Sequence, residues 1–236
     1  MNIQLNILSV LAVIEAAGIY FFIKFYNKYK AVSQTETSNI GFLKAGRHEV
    51  KGKIRALHDQ FVSPLSQKSC VYYNFQVMEP RGSGKNTRWH TIINDVQHNL
   101  FGIDDGSGSA VIDIAGADLN LKTDLKADSG FLHTITPEME RALNKYKKTS
   151  KGLIFKKSMR YKEIILEEGD QLYVMGEVKD FDGYKPVFRK SEVPLYISDK
   201  SEKQILKELK TYLIIAGSIL VIIPSIEAYI LIRWLI

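Results

Sequence analysis

Cysteine is almost missing from this sequence, with Cys70 standing alone. One thiol excludes an internal disulfide, excludes zinc modules built on paired cysteines, and fits a reducing compartment. Histidine is sparse too: His48, His58, His90, His98 and His133 show neither HxH nor HExxH spacing. No metal or cofactor is therefore expected. No nucleophile motif marks a Ser/His/Asp or Cys/His arrangement, so no catalytic residue is assigned. No basic stripe interleaved with aromatics supports nucleic-acid binding. Arg81-Gly82-Ser83-Gly84-Lys85 lacks the GxxxxGK[ST] spacing of a phosphate loop and reads as a hairpin tip. Asp104-Asp105-Gly106 has no Glu at the twelfth position of a calcium loop and reads as a plain turn.

Two long apolar runs stand out instead. Leu5 to Ile23 is broken only by Asn6, Ser9 and Glu15, and Tyr212 to Ile236 only by Pro224, Glu227, Arg233 and a few small polar residues. Both are long enough to cross a bilayer as helices. No Lys or Arg precedes the first run, and it continues into the aromatic belt around Phe21, Phe22, Phe25 and Tyr26, so an uncleaved anchor is expected. The resulting organisation is a transmembrane helix over 1–25, a juxtamembrane linker over 26–45, a β-rich domain over 46–199, and an amphipathic helix from 200 that runs into a second span ending at 236. The capping box Ser201-x-x-Gln204 opens that last helix.

Lys24, Lys28 and Lys30 follow the first span, and Lys200, Lys203, Lys207 and Lys210 precede the second. By the positive-inside rule the domain lies in the cytoplasm and the termini outside. The net charge of +6 gathers near these membrane ends, where anionic lipid accounts for it. Within the spans, Glu15 and Glu227 are costly in lipid and are therefore candidate functional groups. Measured from the cytoplasmic ends, they differ in depth by about 10 Å. Arg233 is placed to snorkel to the outer interface, and Pro224 to kink the second helix.

Period-two alternation carries the middle of the chain. In Val50 to Met78 the expected strands are Val50–Ala56 and Cys70–Val77, with Val71, Tyr73, Phe75 and Val77 on one face. The turn-forming Ser63-Pro64-Leu65-Ser66 is expected to reverse the chain and make the two a long hairpin. A second hairpin is expected around Asp105-Gly106, between Phe101–Asp104 and Ala110–Ile114. A helix is expected from Thr136-Pro137-Glu138, which combines a hydroxyl cap, Pro at the first position and acids in the first turn. Arg160–Leu166 and Gln171–Val178 read as strands joined by Glu167-Glu168-Gly169-Asp170, with Gly176 marking a bulge or bend. Six to eight strands predict a small β-barrel or sandwich with one inserted helix, so the fold class is a mainly β (α+β) membrane protein with two flanking spans.

The segments SPLSQKSCVYY (63–73), FGIDDGSG (101–108), RYKEIILEEGDQLYVMGEVKD (160–180) and PLYIS (194–198), with Trp89 between them, resemble the GIDE domain. That domain forms the membrane-flanked middle of the mitochondrial ubiquitin ligase activator proteins and occurs alone in bacteria and archaea. The resemblance covers roughly residues 42 to 200. It marks Ser63, Pro64, Leu65, Cys70, Tyr72, Tyr73, Trp89, Arg160, Tyr161, Glu163, Gly169, Asp170, Gly176 and Glu177 as family-motif residues. Members that transfer ubiquitin carry a zinc-binding RING after the second span, which needs eight Cys/His ligands. The one Cys here lies before that point, so ligase activity does not carry over. The relatives' domain faces the intermembrane space, whereas the lysines here point to the cytoplasm.

The expected function is a membrane-anchored interaction or scaffold module that binds a protein partner or forms a homo-oligomer. One alternative is a ligand-gated effector or channel working through Glu15 and Glu227. Another is an E3-type protein acting with a RING supplied in trans. The expected partners are the lipid bilayer and a protein, not nucleic acid.

Overall fold

The computed structural model describes residues 2–82, 84–129, 135–150, 158–183 and 185–235. Ser83 and His133 lie outside these residues. The chain divides into two compact units, one made of residues 1–36 with 201–236, the other of 37–200.

The first unit is a pair of helices, α1 (Asn2–Gln34) and α3 (Glu202–Leu235). Each contains a stretch long and apolar enough to cross a membrane, with mean hydropathy of 2.0 and 2.1. They pack antiparallel. Phe25 stacks on Tyr212 at 5.0 Å, Phe22 lies against Gly217, and Gly18 lies against Ile219 and Leu220. The small residues bring the two backbones close, as membrane helix pairs commonly do. The capping box forms in full: Ser201 N–H donates to Gln204 Oε1 at 3.0 Å, and Gln204 N–H to Ser201 Oγ at 3.4 Å.

Among the described residues the second unit holds thirteen strands and one α-helix. In chain order they are β1 (Gly46–Ala56), β2 (Phe61–Val62), β3 (Ser69–Cys70), β4 (Tyr72–Arg81), β5 (Arg88–His98), β6 (Phe101–Asp104), β7 (Ser109–Ile112), β8 (Asp118–Asn120), β9 (Leu125–Ser129), α2 (Pro137–Lys145), β10 (Met159–Leu166), β11 (Gln171–Asp182), β12 (Lys185–Phe188) and β13 (Tyr196–Ser198). β1 pairs with both β6 and β11, and this closes β1-β6-β7-β12-β11 into a five-stranded barrel. Numbered within the ring, its order is 1-2-3-5-4 with strands 3 and 5 parallel, a Greek-key connectivity of the OB type. Val50, Ile54, Phe101, Ile103, Ile112, Val174 and Phe188 fill it. β1 passes from one partner to the other at Lys53, which is opposite both Gln171 and Asp104. Gly52 precedes that point, and a Cβ there would lie 2.5 Å from the Asp104 carbonyl oxygen.

The second layer is a four-stranded sheet, β5-β4-β10-β9. Tyr73, Phe75, Val77, Tyr161 and Ile165 on one face pack with Met139, Ala142 and Leu143 of α2. The start of α2 follows its local signals: the Thr136 hydroxyl accepts from Met139 N–H, Pro137 is the first helical residue, and Glu138 and Glu140 sit in the first turn.

The fold is thus the expected α+β mixture of two apolar helices around a β-rich domain with a barrel and one inserted helix. Four local expectations fail. The described residues of the domain form thirteen strands rather than six to eight, and Val71 packs in the barrel core instead of on the Tyr73, Phe75 and Val77 face. Val50–Ala56 and Tyr72–Val77 do not form a hairpin: β1 joins the barrel, while β4 pairs with β5 and β10. Both segments are half-buried strands, but alternation specifies a face, not a partner. Gly176 is not a bulge either, because it sits in register opposite His48 and the irregularity of β11 falls between Val178 and Asp180. A side chain at Gly176 would come within 2.8 Å of Leu195 Cδ1, so close packing is what demands glycine there.

Candidate functional site

Ser63, Pro64, Leu65 and Glu163 of the family-motif residues meet where the loop Ser63–Lys68 reaches β10, with Cys70 beside them. The loop's flanking strands β2 and β3 pair with each other, Phe61 opposite Cys70 and Val62 opposite Ser69. Ser63 Oγ contacts Ser66 Oγ at 2.7 Å and accepts from Lys68 N–H. Gln67 takes a positive φ of 57° and its amide donates to the carbonyls of Ser63 and Pro64. The two N–H groups left pointing inward, those of Leu65 and Ser66, donate to the Glu163 carboxylate at 2.7 and 2.9 Å. Glu163 is fully buried on the apolar face of β10. It therefore closes a backbone nest, the arrangement that holds a buried anion without a cation.

Cys70 is buried beside this clamp and its Sγ points to the Phe61 carbonyl at 3.7 Å. Burial, reinforced by the nearby Glu163 and Glu167 charges, pushes its thiol up to about 11. At that value it is neutral and inert rather than nucleophilic. Tyr72 joins the barrel core and Tyr73 the sheet core. The Tyr161 hydroxyl points to Met159 Sδ at 3.5 Å.

The turn after β10 ties the layers a second time. Gly169, at φ +91°, donates its N–H to the Ile54 carbonyl, and Ile54 N–H donates back to the Asp170 carbonyl. The Asp170 carboxylate accepts from Glu167 N–H at 2.8 Å. Glu177 accepts from the Ser191 hydroxyl at 2.8 Å and pairs with Lys179 at 3.2 Å. The Ser191 bond, with the Lys179 pair, holds its carboxyl below the usual range.

Two further carboxylate centres, one buried and one half-buried, carry no motif mark. Glu49 on β1 is wholly buried and accepts from the hydroxyls of Tyr173 at 2.6 Å and Thr37 at 2.8 Å, with Lys51 at 3.1 Å. Asp95 on β5 accepts from Tyr73 at 2.7 Å and from Tyr146, a short bond that anchors the end of α2. Burial works to raise the Asp95 pKa, but the hydrogen bonds from Tyr146, Gln97 and Tyr73 and the Lys145 charge outweigh it and hold the carboxyl low. The signal for Asp95 was an acid in step with the apolar Ile93 side of a strand. Glu49 shares its side of β1 with Lys51, Lys53 and Arg55, so nothing in the pattern distinguished it from a solvated surface.

The other face of the four-stranded sheet is covered at one end, where Tyr72, Ile164 and Leu166 pack into the barrel core, and open at the other. Asn74, Gln76 and Met78 of β4, Arg160 and Lys162 of β10, Lys126 and Asp128 of β9, and Asn94 and Val96 of β5 share it. The Arg160 guanidinium lies 3.9 Å over the Trp89 ring and 3.6 Å from Asp128. Elsewhere, a cleft of about 340 Å³ is lined by Lys51, Lys53, Arg55, Asp104 and Asp105. Asp105 is occupied there by the backbone, holding Ile40, Ser107 and Gly108 N–H groups in a plain turn.

In the helical pair, the contacts of Phe25, Phe22 and Gly18 put Glu15 level with about Ile223, so Glu227 lies only about 6 Å further along. Both carboxyls are half-buried and straddle Pro224. Arg233 donates to the Tyr229 hydroxyl at 3.3 Å.

A barrel and sheet latched by buried carboxylates, bounded in the chain by two helices long and apolar enough to cross a membrane, define a β module of mixed α+β class. The family model described as GIDE, E3 Ubiquitin ligase, matches residues 75–226, well over half the chain. The protein belongs to the GIDE family. The match begins beyond Ser63–Tyr73, so that clamp loop lies upstream of it, while Trp89, Glu163, Asp170, Gly176 and most of α3 lie within. No curated protein and no solved structure matches the chain.

Proposed function

We propose that this chain is a membrane-anchored interaction module related to E3 ubiquitin ligases through its GIDE domain. The observation that carries this reading is the use made of the motif residues. Ser63, Leu65, Glu163, Gly169 and Asp170 make bonds within the domain, so these motif residues build a rigid framework, and the exposed surface is left for recognition. The one cysteine in these 236 residues supplies no paired zinc ligands of a RING, so in this reading their own part is binding rather than ubiquitin transfer. The lysines beside both spans favour a domain on the cytoplasmic side with both termini outside.

A second reading rests on Glu15 and Glu227. Two half-buried carboxyls about 6 Å apart in depth around Pro224 suit a helix pair that rearranges in the bilayer. Purification of the full-length chain in mild detergent, with mass spectrometry and mass photometry, separates the two. A stoichiometric protein partner that rebinds the purified chain supports the module. A homo-oligomer with no partner, whose ion flux is abolished in Glu15→Gln and Glu227→Gln variants, replaces it with the second reading.

A further inference from the structure

We propose that the open face of the four-stranded sheet docks an extended acidic segment of a partner protein, gripped by Lys126 and Lys162. The inference rests on the interaction-module reading and deepens it by assigning the surface and the chemistry of the partner.

One row runs across all four strands on this face. Lys126 is directly opposite Lys162, Lys162 opposite Gln76, and Gln76 opposite Asn94. Directly opposed side chains on one face have Cβ atoms about 5 Å apart, and like charges so placed destabilise the pair. Neither lysine meets a carboxylate among the described residues, and Lys162 is half-buried on the floor of the sheet. The adjoining row is different: Asp128 and the Trp89 ring already engage Arg160. The face thus holds two unneutralised cations next to a balanced row. Gln76 donates to Asn94 Oδ1 at 3.0 Å, which leaves the Asn94 amide nitrogen as a further donor.

A carboxylate reaching down between the two ammonium groups removes their repulsion and takes two charge-assisted bonds at once. Val96 and Trp89, 41% and 37% exposed, offer apolar contact on either side along β5. An extended chain fits because its alternate side chains point the same way, so every second residue can face the sheet. Single-stranded nucleic acid fits less well, since Arg160 covers the one ring available for stacking. A flat bilayer surface fits less well because Lys162 is recessed.

The test uses the full-length chain in phosphatidylcholine nanodiscs and fluorescence anisotropy. The probe is a fluorescein-labelled ten-residue peptide alternating Glu and Val, with a ten-nucleotide oligo-dT and phosphatidylserine vesicles as competing probes. Saturable peptide binding that weakens with salt is expected, reduced at least tenfold in the Lys126→Gln/Lys162→Gln chain and unchanged in Lys190→Glu. Lys126→Glu alone is expected to raise the melting temperature of the unliganded protein while weakening the peptide. Absence of saturable binding, equal binding by the double variant, or tighter binding of oligo-dT or phosphatidylserine overturns the proposal. If a partner purifies equally with wild type and double variant, the module reading stands and this face is the wrong surface. If no partner purifies although the peptide binds through both lysines, the module reading fails and the surface remains.

Discussion

Replacing Glu163 tests whether the clamp holds the domain together. Glu163→Ala leaves the buried Leu65 N–H and the partly buried Ser66 N–H without an acceptor. An orphaned buried donor costs about 1–3 kcal/mol, and the side chain removed leaves a small cavity, so a loss of about 3–5 kcal/mol is expected. Glu163→Gln keeps the volume and one acceptor oxygen but turns an NH2 group toward an N–H donor, for a loss of about 1–2 kcal/mol. In a domain of this size each kcal/mol moves the melting temperature by about 2–4 °C. The Ala variant should therefore melt about 10 °C lower and the Gln variant a few degrees lower. Tryptophan fluorescence on the full-length protein in detergent reads this, and hydrogen exchange should show lost protection at the amides of residues 65 and 66. An Ala variant that melts within about 1 °C of wild type, or a Gln variant as damaged as Ala, refutes the reasoning.

Other expectations follow from neighbouring groups. Because the folded pKa of Asp95 is lowered, its stabilisation is present above the unfolded value near ~4 and is lost as pH falls through the lower folded value. Asp95→Asn should cost about 1–2 kcal/mol at pH 7 and narrow that difference below pH 4, as acid titrations of melting temperature would show. Cys70, raised to about 11 by burial, should resist maleimide at pH 8 until the domain unfolds, so labelling and unfolding should coincide in denaturant. Labelling of the native protein at the rate of a free thiol contradicts its placement. Gly52→Ala should cost more than Gly169→Ala. The first forces a Cβ to within 2.5 Å of backbone in the barrel wall; the second meets nothing within 4 Å and costs about 1–2 kcal/mol of backbone strain at φ +91°. Equal melting temperatures for the two would count against the barrel closure at β1.

The features legible in the sequence depend on near neighbours in the chain. The α2 start, the Ser201 capping box, the hairpin around Asp105-Gly106 and the two apolar helices were all expected from a few adjacent residues. The Phe75 face was legible as well, since alternation marks a side even when it names no partner. The barrel was anticipated only as a class. Its closure pairs Gly46 with Val178, more than a hundred residues apart, and no local pattern encodes such a choice. The assumed hairpin between Val50 and Met78 failed for the same reason: its turn residues do bend the chain, but Glu163, nearly a hundred residues later, fixes that loop.

What the sequence by itself determined is therefore the two long apolar helices, the strand faces, the local caps and the family motif, because these follow from hydropathy, periodicity and short-range bonding. What the tertiary structure alone decided is which strands pair and what the charged motif residues are for. Glu163 read as one acid among hydrophobic strand positions, and its burial against two backbone N–H groups came only with the fold. Nothing in the sequence sets Lys126 and Lys162 apart; they become neighbours only when β9 and β10 lie side by side. Non-local pairing creates both the nest and the opposed charges, so neither exists in the chain before it folds.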